Sequence, residues 1–135
     1  MKAVFFLFLL GTFGVWARPI NIETAKGPLT FEATEARSPK ERAKGLKYVT
    51  DLPEFQGMVF WFDPPSYPVF WMQDTLISLD MIFFDETGRI VQIEPNCTPL
   101  SEKQIPAKFP VIGVLEIGGG LTQKHHIHVG DKLTF

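Results

Sequence analysis

The chain has 135 residues, with 13 basic and 15 acidic side chains and a net charge of −2. That length suits one domain, and the scattered basic residues exclude nucleic acid or an anionic membrane surface as the expected partner. The one cysteine, Cys97, cannot close an internal disulfide, so an apolar core must supply the stability.

Residues 1–17 read as a leader. Lys2 gives a positive start, Ala3 to Leu10 is an unbroken apolar run, and Val15-Trp16-Ala17 ends in residues a signal peptidase reads. This is the layout of a secretory signal peptide, and the run is short for a membrane span. An uncleaved anchor is the competing reading. Cleavage after Ala17 would leave one domain, 18–135, secreted or periplasmic, with no membrane span and a formal charge of −3 once Lys2 is gone. It is taken as a monomer.

Ile20 to Thr24 and Leu29 to Thr34 alternate apolar and polar residues around Gly27, which predicts a β-hairpin. Ser38-Pro39-Lys40-Glu41 predicts a short helix: Ser38 as N-cap, Pro39 in the first turn, Glu41 closing a capping box and Gly45 ending it. Gly57 to Phe62 reads as a strand, and Asp63 to Pro68 as a rigid loop that cannot continue a ladder. Phe70 to Phe84 then reads as the hub of the domain. It is apolar enough for the centre of a sheet, with strands expected at Val69–Gln73 and Leu79–Phe84. Yet it carries Gln73, Asp74, Thr75, Ser78 and Asp80, and a buried carboxylate needs partners.

Asp85 to Gly88 predicts a tight turn with positive φ at Gly88, and Arg89 to Glu94 the returning strand. Residues 95–109 form a long proline-containing loop. Cys97 lies in it without an adjacent Lys or Arg, so a half-buried free thiol is expected rather than a reactive one. Val111 to Ile117 is a buried strand carrying Glu116. Leu121 to His125 reads as a helical turn and Lys132 to Phe135 as a terminal strand. The sum is mainly β: a small single-domain β-barrel or β-sandwich with one short covering helix.

Arg42, Gly45-Leu46, Gly57-Met58-Val59-Phe60, Phe70-Trp71-Met72-Gln73-Asp74-Thr75, Leu79-Asp80-Met81-Ile82-Phe83, Gly88, Leu115-Glu116 and Gly130-Asp131 together resemble the family called domain of unknown function 192. The resemblance spans about Ile22 to Phe135. It implies a small, mostly β, often exported domain and brings no established activity. Two positions depart from the family pattern. Asp74 stands where Asn is usual, and His126 where Gly is usual, so the turn before Ile127 is expected to be built differently.

Three groups of residues are candidates for chemistry. Arg42, Asp74, Asp80 and Glu116 suit either an anion- or polyol-binding site or an ion-pair network that ties the helix to the sheet, since an arginine fork serves two carboxylates. His125, His126 and His128, with Asp131, lack the spacing of a zinc signature, so an exposed turn is expected and no metal or cofactor is assigned. Trp61, Tyr67 and Trp71 are the aromatics expected to face outward, each having a polar edge. No serine has a nucleophile-elbow setting.

These residues give one leading reading. A small-polar-ligand binding or accessory module, with a carbohydrate fragment as the leading ligand class, would use Arg42, Trp61, Tyr67, Trp71, Gln73, Asp74, Thr75, Asp80 and Glu116. The alternative is a hydrolase-like enzyme that uses the Asp74 and Asp80 carboxylates with Arg42. Convergence of those two carboxylates on one cavity separates the readings.

Overall fold

The structure is a computed structural model describing residues 17–135. The expected leader, apart from Ala17, lies outside the described residues. Nine strands and two short helices follow in order: β1 (Arg18–Thr24), β2 (Gly27–Ala36), α1 (Pro39–Lys44), β3 (Gln56–Ser66), β4 (Val69–Phe70), β5 (Leu79–Phe84), β6 (Ile90–Cys97), β7 (Ile105–Pro106), β8 (Val111–Gly118), α2 (Leu121–Lys124) and β9 (Lys132–Thr134). The mainly β expectation holds.

Seven strands form one sheet in the order β6-β5-β8-β3-β2-β1-β9, while β4 and β7 pair separately. The sheet curls into a half-barrel. At one end its outer strands approach each other, with a bridge between Arg89 and Lys132 and a bond from the Ile90 N–H to the Asp131 carbonyl at 2.8 Å. All neighbouring pairs are antiparallel except β2 and β3, which run parallel from Glu32 opposite Gln56 to Ala36 opposite Phe60. A parallel pair needs a crossover, and residues 37–55, carrying α1, supply it.

The local signals explain the ends of these elements. Ser38 Oγ accepts from the Glu41 N–H at 3.0 Å, and Glu41 Oε1 accepts from the Ser38 N–H at 2.9 Å, so the capping box is complete. Gly88, at φ 87°, turns the β5–β6 hairpin, and its N–H reaches the Asp85 carbonyl at 2.9 Å. The hub divides differently from expectation. Only Val69–Phe70 is strand before residue 71, and residues 71–78 form no ladder. β3 runs on through Pro64 and Pro65 to Ser66, but its register with β8 shifts between Trp61 and Ser66, so those prolines interrupt the ladder without ending the strand.

Strand alternation sorts the apolar residues into two cores. The inner core, inside the curl, takes Ile20, Ile22, Phe31, Val59, Trp61, Ile82, Phe84, Leu115, Ile117 and Leu133. The outer core takes Phe60, Met72, Leu79, Met81, Phe83, Cys97, Val111 and Val114. Leu46, just after α1, and Ala107 pack onto this outer face. On the inner face, Gly113 leaves room for the Phe84 ring, which a Cβ would strike.

Candidate ligand-binding cleft

A cleft of about 440 Å³ opens on the outer face, between α1 with its following turn and the segment from Pro68 to Thr75. Its walls are apolar: Phe60 and Phe62 from β3, Phe70 from β4, and the half-exposed Trp71. The Phe70 ring meets Phe60 edge-on at 5.2 Å and Phe62 at 6.2 Å, which fixes the aromatic floor. The polar lining is Arg42, Lys44, Lys47, Gln73, Thr75 and Glu116.

Arg42 is held in place. Its Nη1 donates to the Trp61 carbonyl at 3.1 Å and to the Arg37 carbonyl, and its guanidinium lies over the Phe62 ring at 5.0 Å. Lys47 Nζ donates to Gln73 Oε1 at 3.0 Å and sits 6.0 Å from the Trp71 ring centre. These two contacts join the turn after α1 to the opposite wall.

Glu116 comes up from β8, where Val114 and Glu116 point to the outer core and Leu115 and Ile117 to the inner one. It is 4% exposed. Every wholly buried side-chain nitrogen or oxygen among the described residues has a hydrogen-bond partner, whereas no described group bonds the Glu116 carboxyl. Its oxygens therefore keep their small exposure at the cleft. Burial pushes its pKa up to about 8, so the neutral acid dominates at pH 7.

Of the sequence-predicted site residues, the structure gathers Arg42, Trp71, Gln73, Thr75 and Glu116 in this cleft. It places the other four elsewhere. Trp61 is buried in the inner core, because Phe60 and Phe62 on either side of it take the outer face. Its Nε1 donates to Glu35 Oε2 at 2.7 Å, and its ring meets Phe84 edge-on. Burial pushes the Glu35 carboxyl up, but the Trp61 N–H, Arg37 and Arg18 together hold it below the usual range. Tyr67 is largely exposed on the loop before β4 and does not line the cleft. Asp74 adopts a left-handed φ of 55°, its carbonyl accepts from the Tyr48 N–H at 2.9 Å, and its carboxylate raises the Tyr48 hydroxyl by hydrogen bonding and charge.

Asp80 is wholly buried on the opposite face. Oδ1 accepts from the N–H groups of Asn96 (2.8 Å) and Gly120 (2.9 Å), and Oδ2 from the Thr122 N–H (2.8 Å) and hydroxyl (2.6 Å). Asp74 and Asp80 thus do not converge, and Arg42 bonds no carboxylate: the expected ion-pair network does not form. Glu116 is the one carboxyl lining the cleft among the described residues. The sequence reading missed Lys44 and Lys47, one residue before Gly45 and two after it, and that closeness to the helix end was the available signal.

The histidines diverge. His125 Nε2 lies 2.7 Å from Glu54 Oε2, whose other partner is Lys124 at 2.9 Å, while the His128 N–H bonds Asp131. His126 takes a φ of 56°, a left-handed conformation that strains a residue with a side chain. Cys97 is 8% exposed, and burial, with Glu116, Glu94 and Asp80 nearby, pushes its thiol up to about 12. Among the described residues no helix is long and apolar enough to cross a membrane.

Residues 20–135 match the family described as DUF192, uncharacterized ACR. Two solved structures are similar. A protein of unknown function from Novosphingobium aromaticivorans is 37% identical, with 93% of this chain and 89% of that one covered and a TM-score of 0.89. A protein named as a proposed transcription regulator from Sinorhizobium meliloti is 31% identical, with 90% of this chain and 96% of that one covered and a TM-score of 0.85. No curated protein matches. With nearly its whole length matched, this chain belongs to the domain of unknown function 192 family.

Proposed function

We propose that this domain is an exported, monomeric module that binds a small polar ring compound in the cleft beside α1, with carbohydrate fragments as the leading class. One observation carries the reading: Arg42, Trp71, Gln73, Thr75 and Glu116 line a single apolar-walled concavity. Ligand sites combine mostly apolar walls with a few placed polar groups. A ring stacked on Trp71 would put its hydroxyls within reach of Gln73, Lys47 and Glu116. The enzyme reading loses its support, since Asp80 has no free lone pair and faces away.

The description of the Sinorhizobium neighbour points toward nucleic acid. The acidic balance of this chain and the size of the cleft favour a small molecule instead. Titration with sugars and peptidoglycan fragments, followed by tryptophan fluorescence, tests the reading. Trp71 should respond while the buried Trp61 stays silent, and Trp71→Ala should abolish the signal in folded protein. No emission change at millimolar ligand would reject it. Export is tested by intact mass: the mature protein should begin at Arg18, and a form that retains residues 1–17 would overturn cleavage.

A further inference from the structure

We infer that the ligand of this cleft is a ring compound bearing an oxyanion, a carboxylate or a phosphate, which Arg42, Lys44 and Lys47 attract and to which the Glu116 carboxyl donates a hydrogen bond. The inference rests on the ligand-binding reading above and names the class of ligand.

The first support is the charge arrangement. Ion pairs among the described residues join Arg18 and Arg37 to Glu35, Lys108 to Glu94, and Lys124 and His125 to Glu54. The three cations of the cleft have no such partner. Arg42 is bound by backbone carbonyls and Lys47 by an amide oxygen, which fix their positions and leave their charge uncancelled. Three like charges gathered around one concavity on an acidic protein make a local field suited to an anion.

The second support is the acid beneath them. An ionised Glu116 would cancel part of that field and repel an anion. It is instead buried, without a partner, and open only to the cleft. A neutral carboxyl there has one proton to give, and the ligand oxygen is the acceptor it lacks. A hydrogen bond to a charged acceptor is about twice as strong as a neutral one. Glu116 shares the cleft with Arg42, Lys44 and Lys47 on the α1 side and with Gln73 and Thr75 on the far wall, while Met58 and Met81 flank it at paired positions on β3 and β5. Cys97 lies nearby on β6 and stays a thiol through the pH range of the test. Glu116 is thus the group that changes charge near pH 8.

The experiment compares one ring in three forms, galactose, galacturonate and galactose 6-phosphate, by calorimetry from pH 7 to 9.5. The expected result is binding of one or both acids at least about tenfold tighter than galactose, as one ion pair and one charged hydrogen bond require. Affinity should then weaken by about tenfold per pH unit above 8, as for a site that must hold one proton. The relative strength of the two acids tells carboxylate from phosphate. Glu116→Gln should remove the pH slope, and Arg42→Gln with Lys44→Gln should remove the preference for the acids. Galactose binding as tightly as either acid, or acids that bind without a slope in the wild type, would overturn the inference and leave the ligand-binding reading intact. Binding of none of the three and of none of the broader sugar panel would overturn both. The wild-type slope needs no variant, so a misfolded Glu116→Gln protein does not spoil the test.

Discussion

Asp80 and Glu116 sit on neighbouring strands, Asp80 opposite Ile117 and Glu116 opposite Met81. Both carboxyls are almost wholly buried. One residue of strand alternation sends them to opposite faces and into opposite chemistry. Asp80 accepts four hydrogen bonds, tying α2 to the sheet and the Asn96 end of β6 to β5. Glu116 accepts none among the described residues and opens to a cleft. A buried carboxyl with its lone pairs filled is a structural tie. A buried carboxyl left unpartnered carries a cost, which makes it the better candidate for function.

The largest test of that contrast is Asp80→Ala. It would strand three N–H donors and a hydroxyl, and unmet buried donors cost about 1–3 kcal/mol each, so a loss of about 4 kcal/mol or more is expected in a denaturant melt. A change below about 1 kcal/mol would mean that Asp80 is no tie at all.

The second test concerns Glu116 and pH. Its folded pKa, about 8, lies above the unfolded value of 4.5. Between those values the folded state holds the extra proton, so this group's contribution to stability is full below about pH 4.5 and declines as pH rises to 8. With one pKa unit equal to about 1.4 kcal/mol, the decline from pH 5 to pH 8 is on the order of 3 kcal/mol. Glu116→Gln should lack that decline and overtake the wild type as pH rises. Parallel curves for the two proteins would show that Glu116 is ionised and partnered after all.

The smallest effect belongs to Arg42. It bonds carbonyls and covers Phe62, so Arg42→Ala should cost about 1 kcal/mol. A loss of about 3–5 kcal/mol would reveal an ion pair with a buried carboxylate and erase the distinction between the two faces.

How much of this was legible in the sequence depended on the range of the signal. The β1–β2 hairpin, the α1 capping box and the Gly88 turn are written within a few residues, and all appear as expected. The face each core residue takes is also local, yet it was misjudged for Trp61. An indole with a polar edge suggested an outward position, and Glu35, far off in sequence, supplied the partner that lets it stay inside. The partners of Asp80 lie 16, 40 and 42 residues away, so nothing near Asp80 announces that its lone pairs are filled. Gathering Arg42, Asp74, Asp80 and Glu116 into one network failed for the same reason: residue type gives charge, and the parity of a strand position decides the face. The cleft was half legible, because Trp71, Gln73 and Thr75 share one segment while Lys47 joins them only through the crossover.

The pairing of β9 with β1 bears on how the domain is assembled over time. Residues 132–134 complete the edge beside Arg18–Thr24, with Ile22 opposite Leu133, and β3 waits for β8 across some 50 residues. A chain emerging from its N-terminus can form the first hairpin early. It cannot close the curl until the last strand has been made, and such distant pairings are slow to find each other. The curl of the nascent chain therefore closes only once β9 has been made, whatever has folded before it.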